Sequence, residues 1–235
     1  MPSTLTSTVL EQPQTAGNYL RWVKALIEQV KSEDTDGLRK IRLRVGPAKE
    51  LMEEAFPIGL FASRYFEGSA EVEISLKVGS QSYDAIVSDK RKTPSGISYI
   101  EVTLASEGEA DHLRMVTLHE TGQVSGLDRV SKSGTKKTGQ VISVKAEAVS
   151  QQEVLARERQ MLSAAIERKL DKKYPEHTAL VVAFDDVMSH DRADNKGSIE
   201  AVLDSFGERL QIFQEVAVVG LREGLFILRT GANAT

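Results

Sequence analysis

The sequence contains no cysteine. Disulfides, thiolate zinc sites, cysteine-ligated iron–sulfur clusters and cysteine nucleophiles are therefore excluded, and the absence fits a reducing compartment without requiring one. A global positive field is lacking as well: 30 Lys and Arg stand against 34 Asp and Glu, for a formal net charge of -4. Contact with a polyanion would have to come from local patches. Aromatic residues make up only 6% of the chain, too few for extensive stacking of bases on exposed rings. No uncharged apolar run approaches the roughly 20 residues of a membrane span. Residues 1–14 lack a basic segment followed by an apolar one, so they do not read as a signal peptide. Neither a Gly-x-Ser-x-Gly elbow nor a Gly-rich loop ending in Gly-Lys-Ser or Gly-Lys-Thr occurs. The four histidines, His112, His119, His177 and His190, lack the i, i+4 spacing of a helical metal pair. These absences predict a soluble, cytoplasmic protein with no membrane partner.

What is present is ordinary globular composition, 40% hydrophobic and 27% charged. Residues 1–16 are polar and read as flexible. Leu20, Val23, Leu26, Ile27 and Val30 recur at helical spacing from about residue 18. A basic stretch at 39–44 follows. Pro47 opens a second helix, and Pro57 predicts a kink or break within it. Three strands come next, at 71–78, 83–87 and 97–105. Val72, Ile74, Leu76 and Val78 alternate with Glu71, Glu73, Ser75 and Lys77, a meander signature. Residues 106–150 read as an inserted hairpin with a mobile tip, using strands at 115–118 and 141–144. Residues 151–174 form the clearest helix. The apolar run 179–184 predicts a strand buried on both faces. A helix over 198–213 and strands at 216–219 and 225–228 complete the chain. The fold expected is α/β: a central mixed sheet flanked by helices. The boundaries expected are an N-terminal flexible segment and helix over 1–45 and one domain over 46–235.

Two acids stand out. Aspartate is depleted in strands because its short side chain competes for backbone groups, yet Asp84 sits in one. Glu101 lies in a second, with Tyr99, Thr103 and Ala105 on its face by period 2. If the strands pair as a hairpin, the two carboxylates meet. Their mutual repulsion would be relieved by a divalent cation such as Mg2+, which can activate water and neutralise a transferring phosphoryl group. Solvent exposure of both acids is the competing reading.

The order helix, three strands, helix, strand over residues 47–186, with these acids, resembles the PD-(D/E)xK nuclease superfamily and its restriction-endonuclease-like core. The resemblance implies metal ligation by Asp84, Glu101 and the Val102 carbonyl, with Glu54 (or, less well matched, Glu50) as an added acid. It implies Mg2+ or Mn2+ as cofactor, DNA or RNA as partner, and a homodimer or larger complex as an available assembly. The motif's lysine is replaced by Thr103, which carries no charge. Lys169, three after Ile166 on the 151–174 helix, lies on or beside that helix's apolar face. It is the nominated replacement, against a snorkelling role in which its ammonium stays in water; Lys77 is a weaker candidate. The function expected is metal-dependent phosphodiester hydrolysis. The alternative is a catalytically inactive nuclease-fold protein serving as an assembly or regulatory subunit. The basic stretches 39–44, 90–92 and 132–137 are candidate phosphate contacts or solvated loops. Asp185 and Asp186 are candidate acidic helpers or loop residues.

Overall fold

In the computed structural model, residues 5–33, 36–124, 129–135, 139–145, 148–186 and 192–231 are described. His190 and residues 136–138 lie outside that set.

Seven strands form one mixed sheet in the order β1-β2-β3-β4-β7-β8-β9. They are β1 (Gln14–Thr15), β2 (Val72–Leu76), β3 (Ala85–Asp89), β4 (Tyr99–Ala105), β7 (Thr178–Phe184), β8 (Glu215–Gly220) and β9 (Phe226–Thr230). The β1 to β4 pairings are antiparallel, β4–β7 and β7–β8 are parallel, and β8–β9 closes as an antiparallel hairpin. Among the described residues, two further strands, β5 (Arg129–Thr135) and β6 (Gly139–Lys145), pair with each other in a separate sheet.

Alternation in β7 builds two cores. Ala179, Val181 and Ala183 pack into one cluster with Tyr19, Phe61, Ile74 and Ile100. Leu180, Val182 and Phe184 pack into the other with Leu162, Ile166, Ile199 and Phe213. Every β7 residue is buried, as an apolar run without polar alternation requires. Helices α2 (Ala16–Glu33) and α5 (Phe56–Tyr65) cover the first face. Helices α7 (Gln151–Leu170) and α8 (Arg192–Phe206) cover the second. Ser150 caps α7 with a capping box: its hydroxyl accepts from the Glu153 N–H, and the Glu153 carboxylate accepts from the Ser150 N–H.

Several expectations change. Residues 5–16, expected to be flexible, are ordered: α1 (Ser7–Leu10) and β1 form, and Leu5 and Leu10 are buried in the first core. The basic stretch forms α3 (Gly37–Leu43) and ends at Arg44, whose left-handed φ of 53° stops the helix. Residues 115–118, expected as a strand, belong to α6 (Glu109–Thr121). Acids at 109 and 111 favour its N-terminus, and Gly122, with φ 79°, ends it in the left-handed region; these end signals outweigh the short apolar run. Helix α7 stops at Leu170 rather than 174. Helix α8 begins before 198 and gives way at Gly207 to a 3-10 segment, Gly207–Ile212.

The break expected at Pro57 takes a specific form. Helix α4 (Ala48–Glu50) continues as a π-helical turn, Leu51–Ala55, and then as α5. The Phe56 N–H reaches the Leu51 carbonyl, an i to i+5 bond. Proline has no N–H to continue the α ladder, and the wider turn absorbs the missing donor. One extra residue rotates the side chains before it by about 100° relative to α5, and Glu53 and Glu54 lie in that turn.

Candidate functional site

The site begins where β3 and β4 part. Their register pairs Ala85 with Ile100 and Ile86 with Tyr99; continued by one residue, it sets Asp84 opposite Glu101, so both side chains project to one face. The Asp84 N–H donates to the Ile100 carbonyl at 2.8 Å. The Asp84 Oδ2 accepts from the Val102 N–H at 2.7 Å. A side-chain carboxylate thus takes the place of a ladder carbonyl, the local competition that makes aspartate rare within strands.

Glu101 is 5% exposed, on a strand flanked by β3 and β7. Lys169 comes to it from α7: its Nζ donates to Glu101 Oε1 at 2.6 Å, with the two side chains 15% and 6% exposed. The snorkelling alternative is thereby set aside, because the ammonium turns inward onto the carboxylate. Lys77 meets the site through its backbone, its N–H donating to the Asp84 carbonyl at 2.8 Å. Thr103, two residues beyond Glu101, is buried at 7% exposure and lines the same cavity. Val102 lines it too, with its N–H held by Asp84.

The electrostatics join these groups to Glu54. Burial, followed by the Glu101 charge, pushes the Asp84 carboxyl up to about 6, against the Val102 N–H, Lys169 and Lys172, which favour the anion. Burial, then Asp84, Glu50 and Glu53, pushes Glu54 up to about 8, with Lys49 opposing. Tyr174 is raised above its ordinary value by burial and then by Glu101 and Asp84, and Tyr19 by burial and then by Glu54. Both tyrosine hydroxyls are buried without a hydrogen-bond partner among the described residues. Burial first, and repulsion between neighbouring acids second, disfavour the ionised forms of Asp84 and Glu54.

Asp84 and Glu54 open into a cavity of about 590 Å³. Its cations are Arg42 and Arg44 around the end of α3, Lys49 of α4, and Arg168 and Lys169 of α7. Arg44 is tied to Glu53 at 2.8 Å, and Arg168 donates to the Leu104 carbonyl at 3.3 Å. Helix α6 supplies another wall through Asp111, His112 and Met115. A hard divalent cation suits the donors present: Asp84 Oδ1 and Glu101 Oε2 accept nothing from protein groups among the described residues. Among those residues no group of three or more His, Asp or Glu is placed to hold an ion. Mg2+ commonly takes one or two carboxylates and keeps its waters, and the free oxygens of Asp84 and Glu101 are donors of that kind.

Several sequence candidates stand elsewhere. His119 is on α6, its Nδ1 buried with no hydrogen-bond partner among the described residues. His177 adopts a left-handed φ of 65°, and its carbonyl accepts from the Ser98 N–H at 2.9 Å. Asp186 structures the β8–β9 turn, accepting from the Arg222 N–H at 2.8 Å and the Gly224 N–H at 3.1 Å. Asp185 pairs with Arg222. The cavity walls Lys49, Arg168 and Met115, the buried Tyr19 and the half-buried Tyr174 were not singled out from sequence; no local pattern separates them from surface lysines, surface arginines and core aromatics.

Among the described residues, no helix is long and apolar enough to cross a membrane. No protein-family model matches the chain, no curated protein matches it, and no solved structure matches it.

Proposed function

We propose that this protein is a metal-dependent nuclease with a restriction-endonuclease-like core, hydrolysing phosphodiester bonds in nucleic acid. The observation that carries the reading is the Lys169 ammonium 2.6 Å from Glu101, beside Asp84 and in a cavity rimmed by cations. A lysine delivered from α7 compensates for Thr103. The element order α4–α5, β2–β3–β4, α7, β7 parallels the core order of that superfamily and supports the same reading.

In this mechanism Asp84, Glu101 and the Val102 carbonyl would hold the cation, with Glu54 assisting. A bound Mg2+ or Mn2+ would supply positive charge against the phosphate and lower the pKa of water. Lys169 fixes the Glu101 carboxylate in one orientation and sets an ammonium where negative charge develops in the transition state. Arg42, Arg44, Lys49 and Arg168 hold flanking phosphates in the cavity mouth. Water oxygen bonds to phosphorus and releases a proton to solvent, the bond to the leaving sugar oxygen breaks, and that oxygen takes up a proton from solvent.

The test is incubation of the purified protein with plasmid, duplex and single-stranded substrates in Mg2+ and in Mn2+, beside Asp84→Ala and Lys169→Ala. Metal-dependent cleavage that falls at least about a hundredfold in both variants is expected, from loss of groups acting on developing charge. Cleavage surviving in Asp84→Ala refutes the site. Saturable metal binding without cleavage of any substrate supports instead an inactive nuclease-fold assembly subunit, which Thr103 in the lysine position would then explain.

A further inference from the structure

The β5–β6 hairpin stands apart from the seven-stranded sheet and packs against α6, whose other residues wall the cavity. Its register pairs Arg129 with Lys145, Ser131 with Ser143, and Ser133 with Val141. Those six residues alternate along their strands and are all exposed, whereas Val130, Ile142 and Val144 on the other face are half-buried. The outward face therefore carries two cations, three small hydroxyls and one isolated apolar side chain. Val141 is 64% exposed, a hydrophobe that no core contact explains. The sequence from 129 to 145 contains no acidic residue, although the whole chain is net negative.

We propose that this ribbon is a major-groove contact arm for double-stranded DNA. The proposal rests on the nuclease reading and narrows its substrate class. A two-stranded ribbon fits a B-DNA major groove about 12 Å wide, where an apolar side chain can meet the thymine methyl. Seven-residue strands reach about 23 Å along it. Arg129 and Lys145, paired at one end of the ribbon, meet phosphates. Ser131, Ser133 and Ser143 donate to phosphate or base-edge acceptors, and Val141 faces the methyl edge. The major groove of A-form RNA is too deep and narrow for such a reader, so the chemistry favours duplex DNA over duplex RNA. Helix α6 couples the arm to the cleavage cavity by forming a wall of one and the seat of the other.

The experiment measures fluorescence anisotropy of the full chain with 30-base-pair DNA, the matching RNA duplex and single-stranded DNA, in EDTA so that no cleavage occurs. Arg129→Glu with Lys145→Glu is compared with Lys196→Glu with Arg222→Glu, an equal change of net charge on other surfaces. The arm predicts tighter binding to duplex DNA than to the other two. It also predicts, in the ribbon variant alone, weaker binding at 0.05 M salt and a salt slope reduced by about 2, so that its affinity falls about tenfold less than the parent's between 0.05 and 0.2 M salt. Acetylation of Lys145 in the unmodified protein, blocked by duplex DNA, gives the same answer without a substitution. Equal effects from both double variants, equal binding of RNA and DNA duplexes, or no protection of Lys145 overturns the arm and leaves the nuclease reading standing. Ribbon-dependent DNA binding by a protein that cleaves nothing overturns the nuclease reading and leaves the arm.

Discussion

Replacing Lys169 by methionine removes one charge and keeps most of the side chain's unbranched stem. Both members of its pair with Glu101 are well shielded, at 15% and 6% exposure, so solvent screening offsets little. At an effective dielectric near 20, two charges 2.6 Å apart interact by about 6 kcal/mol before desolvation is subtracted. Loss of one partner leaves the Glu101 side chain buried opposite Asp84 without a counter-charge. We expect Lys169→Met to cost about 3 kcal/mol at pH 7.5, which in a chain of this size lowers Tm by about 6–12 °C. Urea denaturation in EDTA measures it. Glu101→Gln in the Lys169→Met background should recover about 2 kcal/mol, because the uncompensated charge is gone. A single variant within about 0.5 kcal/mol of the parent, the range of ordinary surface substitutions, refutes the pairing, as does a double variant no more stable than Lys169→Met.

Glu54, raised to about 8, keeps its proton in the fold after the unfolded chain has released it. Stability therefore falls as pH rises from the ordinary glutamate range through about 8. Glu54→Gln should match the parent near pH 4 and exceed it by about 2 kcal/mol at pH 9 in EDTA, a figure reduced for the solvent access of a half-buried group; equal stability at pH 9 counts against the shift. Asp89 shows the opposite sign. It accepts from Arg91 Nε at 2.9 Å, Arg91 Nη2 at 2.6 Å and the Ser95 N–H at 2.9 Å, and these bonds hold it well below the usual carboxylate range. Its stabilisation is full above the unfolded pKa near 4 and is lost as pH falls further. Asp89→Asn should cost about 3 kcal/mol at neutral pH, with the gap to the parent shrinking in acid unfolding below pH 4. A constant gap down to pH 2 rejects the assignment.

The periodic parts of this protein were legible as text. Strict alternation at 72–78 gave β2, and Val72, Ile74 and Leu76 are fully buried. The unbroken apolar run gave β7 its burial on both faces. Both rest on neighbours one or two residues away, which any strand must satisfy locally. The acids Asp84 and Glu101 were visible because a strand tolerates them poorly. End signals are local too, and those of α6 prevail over the short, largely apolar stretch 115–118, since stretches that short fit either helix or strand.

What the acids do depends on distances in the chain that periodicity does not span. The Val102 N–H reaches Asp84 across 18 residues, and Lys169 reaches Glu101 across 68. Those contacts exist because β3 and β4 part at Asp84, beyond the Ala85–Ile100 pair, and α7 lies across the sheet. The turn ahead of Pro57 was announced by the proline, but its π geometry and the charge contact of Glu54 with Asp84 came from packing. The sequence alone determined which residues are costly to bury; the tertiary structure alone decided which of them share that cost, because pairing and burial are set by the whole sheet rather than by any one strand.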